Sequence, residues 1–173
     1  MRERSELVLA DQIATRAERN PDFRVLTFEC AGRPDETRTF AELQERGNRL
    51  AAALLARGLE RGDRFGLLLR NHPEFVEAMI AASITATVFV PIDPRTKGAK
   101  LAYSLRNSGA RGIVLADYVL AHFDEVRAEL PALSFVLALQ SGEEAAPPLA
   151  GFPGVESLHE VLAKPAATVD VRL

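Results

Sequence analysis

The sequence holds one cysteine, Cys30, so it can form no internal disulfide, which fits a reducing compartment. Cys30 follows Leu26 and Phe28 in an apolar run and reads as a small core residue. No apolar stretch reaches the length of a membrane span, and the longest are strand-sized. The opening residues, Met1-Arg2-Glu3-Arg4-Ser5-Glu6, carry both signs of charge and lead into no apolar segment. Neither a secretory leader nor a transmembrane segment is expected, and the cytoplasm is the expected location. Positive charge is not in excess either: 21 Lys and Arg stand against 24 Asp and Glu, for a net charge of −3. The arginines alternate with acids, so no field for a polyanion forms and nucleic acid is not an expected partner. No repeat of fixed period is present.

What the chain does have is size and apolar content. Its 173 residues, 47% hydrophobic and 26% charged, suffice for one domain with a buried core. A helix is expected around 8–19. Residues 25–30 and 37–39, separated by the turn residues Ala31-Gly32-Arg33-Pro34-Asp35, suggest a hairpin. Thr39-Phe40-Ala41-Glu42 has capping-box form, so a helix should begin there. Leu43, Gly47, Leu50, Ala51, Leu54 and Leu55 continue it at helical spacing, with Gly47 marking close packing and Gly58 its end.

From Arg64 onward the pattern changes. Short apolar runs at 65–69, 88–92, 113–116 and 135–139 read as fully buried strands, alternating with helical segments such as Phe75, Met79 and Ala82 after Pro73. This alternation implies βαβ crossovers, so the fold class is α/β: a mostly parallel sheet with helices on both faces, plus an N-terminal hairpin. The expected organisation is an α/β lobe over 1–140, an exposed Gly/Pro-rich loop over 141–154, and a short helix with tail over 155–173. The helix is placed at 155–163. Residues 168–173 could begin a strand, but no partner for it follows.

Catalytic motifs are scarce. His72, His122 and His159 lie far apart and lack a second ligand at metal spacing, which makes them structural or surface residues. No serine sits in a nucleophile elbow, and Cys30 has no evident base. Thr96-Lys97-Gly98-Ala99-Lys100 lacks phosphate-loop glycine spacing and reads as a helix start. Arg61-Gly62-Asp63 matches an adhesion tripeptide but supplies what a tight turn before a strand needs. Glu143-Glu144, in the Pro-rich loop, reads as solubilising charge. Asn71-His72-Pro73-Glu74 falls at a strand-to-helix junction, where open α/β sheets place ligands, although a helix cap explains the same residues.

Several segments in one order resemble the opening of the adenylate-forming superfamily, acyl-CoA synthetase branch. Thr39-Phe40-Ala41-Glu42-Leu43 is similar to its early L-T-Y-x-E-L motif. Asn48-Arg49-Leu50-Ala51, Gly58-Leu59-Glu60-Arg61-Gly62-Asp63 and Leu67-Leu68-Leu69-Arg70-Asn71 follow. Val88-Phe89-Val90-Pro91-Ile92-Asp93-Pro94 then resembles the V-P-I-D-P segment, and residues 101–111 continue in register. Ala86-Thr87 stands where the family usually has Gly-Ala, which raises the expectation of local crowding.

The resemblance implies the first lobe of the large N-terminal domain of a ligase that makes an acyl-adenylate from a carboxylate and Mg-ATP and transfers the acyl group to a thiol, typically coenzyme A. In that family the phosphate loop, the nucleotide and magnesium residues and the catalytic lysine come later in the chain. The resemblance therefore assigns no catalytic, cofactor-binding or metal residue here, and the segment alone is expected to be inactive. ATP, Mg and coenzyme A belong to the parent enzyme. The implied partner is the remainder of that enzyme, or a self-association partner through an exposed apolar patch. Two alternatives stand beside this: a stand-alone non-catalytic binding protein, and one half of a split adenylating enzyme.

Overall fold

The computed structural model describes residues 3–29 and 34–172. Cys30 and the turn residues 31–33 lie outside the described residues. The helix α1 (Leu9–Arg19) precedes an antiparallel hairpin of β1 (Arg24–Phe28) and β2 (Glu36–Thr39). The helix α2 (Phe40–Ala56) starts at the expected capping box: Glu42 N–H donates to Thr39 Oγ1 at 3.2 Å and Thr39 N–H to Glu42 Oε2 at 2.7 Å. It ends where Gly58, at φ +79°, turns the chain left-handed. Gly58 N–H then reaches the Leu55 carbonyl and Leu59 N–H that of Leu54, which satisfies two carbonyls the helix would leave open.

Five parallel strands follow: β3 (Arg64–Leu68), β4 (Val88–Pro91), β5 (Ala110–Ala116), β6 (Phe135–Leu139) and β7 (Val155–Ser157). Their order is β4-β3-β5-β6-β7. The crossovers carry α3 (Pro73–Thr85), α4 (Gly98–Ser108) and α5 (Leu120–Arg127), and α6 (Leu158–Ala163) follows β7. After the arginines Arg64 and Arg111 near the starts of β3 and β5, the central strands are apolar because both faces are covered. Leu67, Leu69, Val114, Ala116, Leu137 and Leu139 meet α1, α2, α3 and α6 in one core. The residues between them, Leu68, Ile113, Leu115, Val136 and Ala138, meet α4 and α5 in the other.

Three expectations need correction. First, β4 is not fully buried: it is the sheet's edge, and Val88 is 48% exposed. Second, residues 155–157 are a strand rather than the first turn of a helix, because Val155, Glu156 and Ser157 pair with Val136, Leu137 and Ala138; the helix starts at Leu158, where Ser157 Oγ accepts from Glu160 N–H. Third, the loop 141–154 is not merely exposed, since Ser141 is buried and Leu149 and Phe152 pack against the second core.

Two backbone positions refine the reading further. A Cβ on Gly47 would lie 2.5 Å from Ile80 Cγ2, so the absent side chain is what lets α2 approach α3. At Ala86 the difficulty is conformational rather than crowding. It closes α3 at φ 54°, a left-handed geometry that costs an L-residue roughly 1 kcal/mol or more and glycine nothing.

Candidate functional site

In open parallel sheets, ligands gather where successive crossovers leave a strand in opposite directions. Here β3 is followed by β4 on one side, and the chain then returns to place β5 on the other. The crevice therefore opens at the C-terminal ends of β3 and β5, where Arg70 and Asn71 follow one strand and Asp117 and Tyr118 follow the other.

The crevice carries a cluster of side chains that contact one another. The Arg70 guanidinium lies 4.1 Å from the centre of the Tyr118 ring, and Arg70 N–H donates to Tyr118 Oη at 2.7 Å. His72 stacks on the same ring at 5.9 Å between centroids. Glu143 pairs with Arg70 Nη1 at 2.7 Å, which ties the 141–154 loop to the crevice. The buried Asp117 accepts from Ser141 N–H at 2.9 Å, from Ser141 Oγ at 2.6 Å and from Tyr118 N–H at 2.9 Å. Burial pushes the Tyr118 phenol up to about 12, against the pull of Arg70, so at neutral pH it is protonated and no base.

The individual candidates fall out as follows. His72 occupies the N-cap position of α3 but makes no side-chain cap bond; the cap reading holds for Pro73, at the first helical position, and not for His72. His122 lies 3.8 Å from Glu125 on α5, and His159 is exposed on α6. Gly62 and Asp63 build the expected turn: Gly62 has φ +83°, and Asp63 accepts from Glu60 N–H at 2.8 Å and pairs with Arg111. That backbone bond holds the Asp63 carboxyl below its usual range. Lys97 precedes α4, as read. Glu143 is more than solubilising charge, because it holds Arg70.

One cluster was not visible in the sequence. Glu74 and Glu77 of α3, 4% and 0% exposed, face Arg38 of β2 and Arg46 of α2. Arg46 Nε reaches Glu77 Oε1 at 2.5 Å and Arg38 Nε reaches it at 3.0 Å, while Arg46 Nη2 lies 3.1 Å from Glu74 Oε1. Glu77 Oε2 has no hydrogen-bond partner. Burial pushes the Glu77 carboxyl above its usual range even against both arginines. The cluster fastens the hairpin to the helical layer. Its charges neutralise one another, so it offers no surplus charge to a ligand.

The match to known proteins decides the family. Residues 13–167 match the family described as AMP-binding enzyme. The chain belongs to that family. A nonribosomal peptide synthetase of Ceriporiopsis subvermispora is 35% identical over 81 residues, 47% of this chain and 3% of that protein. A medium/long-chain-fatty-acid–CoA/3-oxocholest-4-en-26-oate–CoA ligase of Mycobacterium marinum is 30% identical over 110 residues, 64% of this chain and 20% of the relative. Acetoacetyl-CoA synthetase from Streptomyces lividans superposes with a TM-score of 0.81 at 24% identity, covering 93% of this chain and 26% of that one, and so shares the fold. The chain thus spans 3% to 26% of the length of these relatives.

The described residues build no ligand cluster for the family's metal. Among them no three His, Cys, Asp or Glu come together in a way that could hold a metal ion. The crevice at the strand ends carries the Arg70–Tyr118 stack, and the carboxylates of Asp117 and Glu143 are already engaged there. No described helix is long and apolar enough to cross a membrane.

Proposed function

We propose that this chain is the opening lobe of the large domain of an ATP-dependent, AMP-forming acid–CoA ligase, and that it is catalytically inactive by itself. Such a ligase converts a carboxylate into an acyl-adenylate, whose AMP is a good leaving group, and then transfers the acyl group to a thiol. The lobe's own residues supply scaffold: two cores, a charged fastening between hairpin and helices, and an arginine–tyrosine stack at the strand ends. The observation that carries this reading is the asymmetry of the match, nearly the whole of this chain against about a quarter of the related synthetase. ATP, magnesium and coenzyme A are then held by residues outside the lobe. On this reading 1–140 form the lobe proper, 141–154 a connecting loop and 155–173 the segment leading onward, in a cytoplasmic enzyme.

The test is ATP–pyrophosphate exchange by the purified 173-residue chain with a panel of carboxylic acids. No exchange is expected, and measurable exchange overturns the reading. A second consequence is self-association through apolar surface around Leu7 and Val88, which are 95% and 48% exposed and border a groove with Leu9 and Met79. Sedimentation velocity should show association that Leu7→Ser with Val88→Thr removes.

The peptide-synthetase relative favours a second reading, in which the same lobe serves an adenylation domain and the acceptor thiol sits on a carrier protein. The denaturing mass of the native polypeptide carrying this sequence separates the cases. About three to four times 18.9 kDa fits the ligase, a far larger mass fits the peptide synthetase, and 18.9 kDa itself favours a stand-alone or split protein.

A further inference from the structure

Asn48-Arg49-Leu50-Ala51 divides its labour. Leu50 and Ala51 are fully buried in the first core, whereas Arg49 turns to the end of α6 and Asn48 to the segment that follows it. Arg49 Nη1 donates to the Leu162 carbonyl at 2.7 Å, in the last turn of α6, where helix carbonyls lack partners of their own. Asn48 Nδ2 donates to the Ala167 carbonyl at 3.0 Å, and Asn48 Oδ1 accepts from Val169 N–H at 2.7 Å. One carboxamide thus makes with residues 167–169 the donor-and-acceptor pair that a neighbouring strand residue would make. Farther along, Arg172 N–H donates to the Ile84 carbonyl at 2.8 Å.

The segment has the form of a strand without being one. Val169 and Val171 lie half-buried against the first core, while Thr168, Asp170 and Arg172 are exposed, the period-two alternation of a sheet residue row. Packing alone does not fix it. A half-open groove of about 1200 Å³ runs beside it, lined by Pro165, Val169 and Val171 together with Ile13, Gln44 and Ile84. With that space beside it and only two side chains on the core, the polar bonds to Asn48 and Ile84 fix where the segment runs.

We propose that Asn48 is a positioning residue that takes the place of a strand neighbour: it sets the register of residues 167–169 and, with Arg49 fixing the end of α6, the direction in which the chain leaves the lobe. This deepens the ligase reading and rests on it for its consequence, since the segment's direction is then the approach to the nucleotide-handling part of the enzyme. The anchoring itself does not depend on that reading.

The test is site-resolved amide hydrogen exchange by NMR on the 173-residue chain, comparing the unaltered protein with Asn48→Ala and Asn48→Asp. Asn48→Ala should speed exchange of the Val169 and Arg172 amides roughly ten- to thirty-fold, the effect of losing one or two hydrogen bonds, while the sheet amides of Val114 and Leu137 change less than about twofold. Asn48→Asp should fall between, because it still accepts from Val169 but no longer donates to Ala167. Unchanged exchange at Val169 in the alanine variant overturns the proposal. So does an equal rise at the sheet amides, which would make Asn48 a support of general stability only. Pyrophosphate exchange by the unaltered chain would overturn the ligase reading and leave this result standing.

Discussion

The helical layer on one face of the sheet is fastened with buried charge, and the layer on the other is fastened with none. α3 buries Glu74 and Glu77 against Arg38 and Arg46, whereas every buried residue of α4 and α5 is apolar: Leu101, Ala102 and Leu105, then Leu120, Phe123 and Val126. The apolar layer needs only shape, so its helices follow from periodicity. The charged layer must also join the two-stranded hairpin, which is too small to hold itself. Arg38 does this with a directional bond from β2 to α3.

The comparison can be broken most severely at Glu77. Glu77→Ala should cost about 3–5 kcal/mol in urea denaturation, because it leaves two partly buried guanidiniums without their main partner. If the triple change Arg38→Met, Arg46→Leu and Glu77→Met restores most of that stability, the charged layer is as replaceable as an apolar one and the contrast fails. A smaller test uses one glycine from each layer. Gly47→Ala pushes a Cβ to 2.5 Å from Ile80 Cγ2 and 3.0 Å from its branched Cβ, and should cost about 1–3 kcal/mol. Gly66→Ala, on the α4 face, meets the mobile end of Leu105 at 2.7 Å, and its cost should fall near about 1 kcal/mol. Equal costs in the same denaturation assay would show that the two layers pack alike.

Ala86→Gly should act in the opposite direction, stabilising by about 0.5–1 kcal/mol, as relief of the left-handed backbone exceeds the added freedom of the unfolded chain. The subtlest difference lies in pH. Burial raises the folded-state Glu77 carboxyl above 4.5, its ordinary value. The folded form then holds the proton more tightly than the unfolded one, so this contribution is full below 4.5 and is lost as pH rises through the folded value. Urea midpoints measured across that range should slope downward with pH in the native chain relative to Glu77→Gln, in which that slope is absent.

The sequence disclosed the parts whose cause is local. The capping box at Thr39, the left-handed stop at Gly58, the turn at Gly62 and the buried runs of β3, β5 and β6 each depend on neighbours within a few residues. What it hid depends on distance or context. β7 is three residues with a single buried side chain, Ser157, too short for a period to show. Its pairing with β6 overrode the helical pattern that starts at Leu158. β4 carries the composition of a central strand and owes its exposure solely to the sheet order. The contacts of Glu74 and Glu77 span 28 to 39 residues, beyond any motif. Arg70, Tyr118 and Glu143 meet only because β3, β5 and β6 are neighbours, so the family resemblance could name the segment containing Arg70 without revealing the stack.

Pro91 carries a consequence for the growth of the sheet. In β4 the amides of Val88 and Ile92 bond inward to the Asp63 and Leu67 carbonyls. By alternation, Phe89 and Pro91 face the open side. An imide nitrogen has no hydrogen to give, so within β4 the outer edge presents one donor, that of Phe89, to any strand that comes alongside. A copy stacked against this edge would meet the carbonyls of Phe89 and Pro91 but only one donor, so the ladder is one bond short, which makes this rim a weaker seed for fibrils although its side chains are apolar.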